Sequence, residues 1–396
     1  MVQDTAKADE SRTELSVARN RFTRLEWAGA FGDLGTLIPF TVAYITLLKM
    51  DPFGVLLAFG IMLVACGLYY KTPFPVQPMK AIGTAATAQA VQGVVITANA
   101  VYCAGIVTGI AWLLLGVTGV TRKVTNLLGR PVALGIILGL GFAFMLEGIK
   151  MMAGGWLLGA IALLGTLLLL ANPLIPAMFV LLLFGVIAAV IQDPSLIDHL
   201  AALRPEVRLP GFALGSVTWN DFVIGTLFLA LPQVPLTLGN AIVAVTEENN
   251  RLFPDRKVTE KGVSISTGLM NLFGPLVGGV PMCHGAGGMA GHVRFGARTG
   301  GAPIILGAVL VVVALFFSGS VETIFKVFPE PVLGVILFLT GTQLALGPIA
   351  ALGKEDREGD RFVVLATAAF AVWNIGAAFV FGAGCHYFLK RRWIRL

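Results

Sequence analysis

The sequence predicts an all-α integral membrane protein with about 14 transmembrane segments in a seven-plus-seven inverted repeat. Its 396 residues are 56% hydrophobic and only 13% charged, a composition that a soluble domain of this length could not keep in solution. Two apolar segments, one in each half, are interrupted by proline and glycine. Because seven spans is an odd number, the second half must cross the membrane in the opposite direction to the first.

The chain begins with a polar segment, residues 1–24, that contains no apolar stretch, so we expect no cleaved signal peptide. Apolar runs separated by short polar loops follow it. Some are shorter than the roughly 20 residues that span a bilayer, as expected for tilted or partial segments in a crowded bundle. A polar connection, residues 193–218, separates the halves. The clearest apolar runs are Pro52–Tyr70, Ala133–Leu146, Leu157–Leu170, Phe179–Ile191 and Pro303–Phe317.

Each half contains one broken segment, Pro75–Gly83 in the first and Val280–Met289 in the second. Proline has no N–H to donate, and glycine costs about 1 kcal/mol in a helix interior, so both runs favour half-helices. Non-helical backbone is tolerated at membrane depth only where protein buries it or a water-filled cavity needs it. Interrupted spans at matching places indicate the binding site of a secondary transporter. We number these two half-helices as segments 3 and 10.

The order of interruptions is repeated between the halves. The first half opens with a glycine-rich stretch, Gly32–Pro39, and the second contains a comparable proline-rich stretch, Leu231–Gly239. The two breaks, each containing Pro-Met, then follow at comparable distances. Sequence identity between the halves is slight, so the repeated order supports a duplication better than the Pro-Met pair does.

The net charge of +6 raises the question of a nucleic-acid partner, but its distribution argues against one. Most of the 28 Lys and Arg residues fall in loops that this topology assigns to the cytoplasm. This asymmetry is the positive-inside pattern. It predicts cytoplasmic termini at the cell membrane and a lipid bilayer, rather than nucleic acid, as the surrounding partner.

The half-helices favour an anionic ligand. A helix N-terminus carries roughly half a positive charge and free N–H groups, so two opposed N-termini near the midplane create an anion site. Lys80 adds an intramembrane cation, which is a functional residue by default. Asp33 and His284 are the titratable candidates for proton coupling. The candidate substrate-binding residues are Thr36, Gln77, Pro78, Met79, Lys80, Ala81, Gln233, Cys283, His284, Gly285 and Ala286.

Structural alternatives remain open for several of these side chains. Lys80 could pair with Asp33 and stabilise the fold, and His284 could cap its helix. Gln77 and Gln233 stand beside prolines, and each could satisfy carbonyls that the proline leaves without a donor. The cysteines lack metal-ligand spacing and are expected to be buried thiols, so we predict no metal, no cofactor and no catalytic residue.

The stretch Asn271–Pro281, followed by Arg294–Gly300, resembles the sulfate permease superfamily. Gly32–Pro39 and Pro281–Gly288 look like the molybdate-transporter branch, which lacks the C-terminal STAS domain of many sulfate permeases, and we expect none here. The resemblance implies core and gate domains, elevator-type alternating access and oxyanion import. Members of the superfamily commonly form dimers, so it also implies a homodimer.

On this basis the chain divides into repeated core and gate units. The expected boundaries are a cytoplasmic N-terminal segment at 1–24, the first core unit at 25–121, the first gate unit at 122–192, the connection at 193–218, the second core unit at 219–320, and the second gate unit with a short cytoplasmic tail at 321–396.

Import of a dianion requires an energy source. Moving a dianion into the cell against a membrane potential of 100 mV costs about 4.6 kcal/mol of free energy. We therefore predict proton-coupled symport of a tetrahedral oxyanion, foremost molybdate. Sulfate, tungstate or another anion remains open, as does a proton-coupled nucleobase permease of the same fold. An anion channel is a further alternative. A membrane enzyme is disfavoured because no nucleophile motif or metal spacing accompanies Asp33 and His284.

Overall fold

The computed structural model describes residues 19–46, 48–80, 82, 96–172, 174–353, 357–391 and 393, and these are almost entirely helical. Two short strands accompany the helices, β1 (Gln77–Pro78) and β2 (Met282–Cys283). The helices are α1 (Arg24–Ala30), α2 (Leu34–Thr46), α3 (Pro52–Tyr70), α4 (Ala98–Val117), α5 (Val120–Ala153), α6 (Trp156–Leu169), α7 (Ala177–Gln192), α8 (Ser195–Ala201), α9 (Trp219–Leu252), α10 (Glu260–Phe273), α11 (Ala286–Arg294), α12 (Gly301–Phe317), α13 (Val321–Lys326), α14 (Glu330–Ala351), α15 (Glu358–Trp373) and α16 (Ile375–Lys390).

The prediction of an all-α membrane protein is confirmed. Within the described residues, seven helical segments are long and apolar enough to cross a membrane, or up to eight if the bent pair α7–α8 forms one span. One of the seven is α1 joined to α2 through a 3-10 turn, Phe31–Asp33. The count of about 14 segments and the inversion of the second half stay predictions.

Local sequence signals set the helix starts. Proline occupies the first position of α3, where a missing N–H costs nothing, and the Asp51 side chain accepts from Phe53 N at 3.1 Å. Thr97 caps α4 in the same way, accepting from Ala100 N at 3.0 Å. Lys71 ends α3 in the left-handed region, with φ of 57°. These signals are short-range, which is why the sequence alone located α3 correctly.

Helix α9 is irregular, and its irregularity positions polar side chains. Two π-helical segments, Gly225–Ala230 and Thr237–Ala244, flank the turn that carries Pro232 and Pro235. Because proline cannot donate to the helical ladder, wider turns on either side rearrange the bonding. Single π turns inside helices are frequent at functional sites.

The two broken segments meet. Strands β1 and β2 form an antiparallel pair, with Gln77 opposite Cys283 and Pro78 opposite Met282. Met79 N extends the pairing by donating to Pro281 O at 2.9 Å. Helix α11 begins directly after β2 and is the second half-helix. Ala81 and residues 83–95, which would hold most of the first half-helix, lie outside the described residues.

Candidate anion-binding site

A buried polar cluster lies where the 3-10 turn before α2 faces β1. The Gln77 side chain donates through Nε2 to Asp33 Oδ1 at 2.5 Å and to Thr36 Oγ1 at 2.6 Å, and Thr36 Oγ1 in turn donates to Asp33. All three side chains are at most 3% exposed. The structure therefore brings together three of the residues that the sequence singled out.

This cluster presents two acceptor oxygens toward the start of α11. Asp33 Oδ2 and Gln77 Oε1 are buried and have no hydrogen-bond partner among the described residues. A Cβ placed on Gly288 would lie 2.7 Å from Asp33 Oδ2, and one on Gly285 would overlap Gln77 Oε1. Glycine at both positions is thus what allows the half-helix to approach the carboxylate and the amide so closely.

Helix α9 supplies an amide oxygen to one backbone N–H in each broken segment. Asn240 Oδ1 accepts from Ala286 N, in the first turn of α11, at 3.2 Å. Gln233 Oε1 accepts from Ile82 N at 3.3 Å, and its Nε2 donates to Thr237 Oγ1 at 2.9 Å. Sequence reasoning identified Gln233 but missed Asn240, whose only signal is a lone amide inside the apolar run of α9.

Lys80 contacts aromatic rings. Its Nζ lies 3.9 Å from the centroid of the Phe144 ring and 5.7 Å from that of Phe40. A Cβ on Gly287 would overlap the Phe144 ring. The ring, carried by α5, therefore lies between the lysine after β1 and the first turn of α11. Phe144 was not identified from the sequence because an aromatic residue in an apolar helix is ordinarily a packing residue.

The remaining residues of the two strands take part in the site through hydrogen bonds of their backbone. Met79 is fully buried, and its carbonyl accepts from the Tyr44 hydroxyl at 3.0 Å. Asn271 holds the opposite strand, since its side chain accepts from Met282 N at 2.8 Å and donates to Met282 O at 2.5 Å. Pro78 and Cys283 lie within the strand pair. These contacts fix where the strands end and where α11 begins.

His284 faces away from this cluster. Its Nδ1 lies 2.8 Å from Pro75 O, which can only accept, so Nδ1 carries the proton and donates. Its Nε2 lies 2.5 Å from Ser266 Oγ, and that oxygen accepts from the Tyr70 hydroxyl at 2.7 Å. With both ring nitrogens engaged by protein, His284 has the contacts of a structural residue. Its role in proton coupling stays a prediction.

His292 lies in the last turn of α11, with Arg294. Its side chain is fully buried, and its Nδ1 lies 2.8 Å from Gly29 O in α1. Its Nε2 has no hydrogen-bond partner among the described residues.

The arrangement suits binding of an oxyanion rather than of a metal. No group of three or more His, Cys, Asp or Glu side chains in the described part of the chain is placed to hold a metal ion. The site combines a helix N-terminus, one lysine and neutral amides, which recognise negative charge, with the buried carboxylate of Asp33.

Comparison with known proteins identifies the family. A family model described as molybdate transporter of the MFS superfamily matches residues 25–146 and 225–344. Molybdate transporter 2 of Arabidopsis thaliana is 32% identical, over 92% of this chain and 86% of that protein. Molybdate transporter 1 of Chlamydomonas reinhardtii is 36% identical, over 52% of this chain and 40% of that protein. The two segments matched by the family model fall in the two predicted halves.

Solved structures show the same fold at low identity. The transmembrane domain of the cyanobacterial bicarbonate transporter BicA has a TM-score of 0.56 at 16% identity, covering 91% of this chain and 98% of that one. The murine anion transporter Slc26a9 in its inward-facing state has a TM-score of 0.58 at 12% identity, covering 96% of this chain and 70% of that one. The chain therefore shares the membrane fold of these two proteins. The expected resemblance to molybdate transporters is confirmed by the family match.

Proposed function

Since the chain belongs to the molybdate transporter family, we propose that it imports molybdate into the cell by proton-coupled symport. The observation that carries this proposal is the pairing of the two broken segments, which sets Lys80 and the start of α11 on either side of one ring. A helix N-terminus and an ammonium group both attract a dianion. The relatives' names supply molybdate as the substrate.

The oxyanion would bind where the Phe144 ring and the two amides of α9 now lie. Ala286 N and Ile82 N already donate to amide oxygens, so each donor is oriented for an acceptor. Rotation of the Asn240 amide by 180° would present its NH₂ group to the ligand instead of its oxygen. The small residues of the first turn of α11 leave room for the ligand near the backbone.

Asp33 is the proposed site of proton coupling. Its Oδ2 is buried, lacks a hydrogen-bond partner among the described residues and faces the first turn of α11. Two like unit charges 4 Å apart repel by about 4 kcal/mol at an effective dielectric constant of 20. A dianion arriving there therefore binds best when Asp33 is protonated, which links anion binding to proton binding. His284 is the weaker candidate because both of its ring nitrogens are occupied.

The mechanism that we propose is an elevator. Residues 25–121 and 219–320 form the core that carries the site, and residues 122–192 and 321–396 form the gate. Phe144 belongs to the gate and touches Lys80 in the core, so sliding of the core along the gate would uncover the ammonium group. Both termini lie in the cytoplasm, and the assembly is a homodimer.

The test is uptake of radiolabelled molybdate by proteoliposomes, with and without an imposed gradient that is acidic outside. The wild type should accumulate molybdate only with the gradient. Lys80→Ala should lose uptake and weaken molybdate binding at least tenfold. Asp33→Asn should retain binding and exchange but lose the response to the gradient. The matched control is Lys150→Ala, which removes an exposed lysine that pairs with Glu147 at 3.2 Å.

A different experimental result would refute each part of the proposal. Uptake by the wild type that ignores the gradient would refute proton coupling. Unchanged molybdate binding by Lys80→Ala would refute the site. Stronger competition by sulfate, tungstate or uracil than by unlabelled molybdate would refute the substrate.

A further inference from the structure

A basic cavity lies at the far end of α11 from the proposed transport site. It has a volume of about 220 Å³ and is lined by Arg21, Arg256 and Arg298, with Asp255 as the one carboxylate among the lining residues. Helix α11 has nine residues and separates this end of the molecule from Gly285 by about 13 Å. The cavity is therefore distinct from the site around Lys80.

Backbone contacts hold two of the arginines in place. Arg21 N donates to Thr299 Oγ1 at 3.1 Å, which fixes the chain before α1 against the turn before α12. Glu26 fixes that turn, because its carboxylate accepts from the backbone N–H groups of Arg298 at 3.0 Å and Thr299 at 2.9 Å. Glu26 is buried, and this carboxylate is engaged by backbone N–H groups of the turn. Arg298 is thus placed by the scaffold, and its guanidinium is exposed.

The third arginine, Arg256, is held by contacts with Lys71 and Asn249. The Arg256 guanidinium donates to the carbonyl of Lys71, and the Arg256 carbonyl accepts from Asn249 Nδ2 at 2.8 Å. Burial lowers the pKa of Arg256, and the positive charge of Arg21 lowers it further, against the opposing effect of Asp255. Arg21 and Arg256 both line this cavity, so the fold keeps their like charges together.

We propose that this cavity binds a phosphate dianion, either free phosphate or the phosphomonoester headgroup of an anionic lipid. Three guanidinium groups against one carboxylate leave an excess of positive charge, and the planar fork of arginine matches phosphate oxygens in bidentate geometry. Phosphate would relieve the repulsion between Arg21 and Arg256. It would also connect the chain before α1, the loop after α9 and the turn before α12.

The position of the cavity fits either source. The loops that form it belong to the arginine-rich face that the positive-inside pattern places in the cytoplasm. Cytosolic phosphate and the headgroups of the inner leaflet both reach that face, and basic clusters beside membrane spans attract anionic headgroups. The proposal does not depend on which anion the protein transports.

The test measures binding to the purified full-length protein by calorimetry, with inorganic phosphate and with dioctanoyl phosphatidic acid as separate probes. We expect Arg256→Gln and Arg298→Gln each to weaken phosphate binding at least tenfold. Lys257→Gln is the matched control, because it removes the same charge from an exposed neighbour that does not line the cavity. It should change the affinity less than twofold. Tighter binding of the lipid probe than of phosphate identifies the headgroup as the source, and equal binding identifies free phosphate.

Testing the variants of each site with the ligand of the other distinguishes this cavity from the proposed transport site. Lys80→Ala should retain phosphate binding, and Arg256→Gln should retain molybdate binding. The proposal is overturned if the two arginine variants bind phosphate as the wild type does, if Lys257→Gln weakens binding as much as they do, or if Lys80→Ala removes phosphate binding. Circular dichroism and size-exclusion profiles that match the wild type establish that each variant is folded.

Discussion

Lys80 meets the face of the Phe144 ring at 3.9 Å, and this contact covers the side of the ammonium group that turns toward α11. A buried cation–π contact contributes about 2 kcal/mol. At the proposed site an oxyanion would compete with the ring for Lys80, so we expect Phe144 as well as the lysine to affect the affinity. A single aromatic side chain can in this way keep an intramembrane cation stable while the site is empty.

Phe144→Ala should therefore tighten molybdate binding by about thirtyfold, since removal of a competing contact of about 2 kcal/mol corresponds to that factor. Phe144→Leu keeps an apolar side chain without a π face and should tighten binding less. Phe142→Ala, at a 42% exposed position two residues away, is the control and should leave the affinity unchanged. Calorimetric titration of the purified variants measures all three. Weaker binding by Phe144→Ala would show that the ring contributes to the pocket instead of competing with the ligand.

Site residues that are unusual in a membrane helix could be predicted from the sequence, and site residues that are ordinary there could not. Proline and glycine inside apolar segments violate helix propensity, so the meeting of the two breaks was foreseeable. Asp33 and Lys80 stood out because charge is costly in a membrane. Phe144 and Asn240 lie in helices where each has an ordinary alternative role, and only their three-dimensional neighbours reveal them. His292 lies in the last turn of α11, and only the packing of α1 against that turn shows that it is buried.

Among the elements, α11 depends on a close backbone approach to the 3-10 turn before α2. A Cβ on Gly291 would overlap the carbonyl of Gly32, and one on Gly32 would overlap that of Gly291. This reciprocal contact sets the depth at which the half-helix lies beside Asp33. Any side chain at either position must push the half-helix away from the buried cluster.

Gly291→Ala should accordingly lower the thermal unfolding midpoint by several degrees and abolish molybdate binding, because neither backbone can yield to the added methyl group. Gly165→Ala is the matched control, since nothing lies within 4 Å of a Cβ at that position in α6. There the substitution should be neutral or stabilising by up to about 1 kcal/mol, the helix propensity difference. Fluorescence-monitored unfolding of both variants in detergent gives the comparison. Equal midpoints would contradict the close approach.

Across the whole molecule, charged contacts mark two opposite faces. At one face, Arg208 in the connection between the halves pairs with Asp51 at 2.6 Å, and this hydrogen-bonded carboxylate raises the pKa of Arg208. At the other, the Arg256 guanidinium donates to the Lys71 carbonyl. Helix α3 runs from Asp51 to Lys71 and so connects the two faces. A bilayer crossed by α3 would place the connection and the loop after α9 on opposite sides of the membrane, and we predict that arrangement.

This assignment predicts how single cysteines will react with a membrane-impermeant maleimide in intact cells. Leu209→Cys, at an 81% exposed position beside Arg208, should be labelled from outside. Lys257→Cys, in the loop after α9, should be labelled only after the membrane is permeabilised. Cys385 is half-buried and is replaced by serine in the background, while Cys66, Cys103 and Cys283 are buried. Labelling of both positions from the same side would contradict the odd number of crossings between them, and with it the inverted repeat on which elevator transport depends.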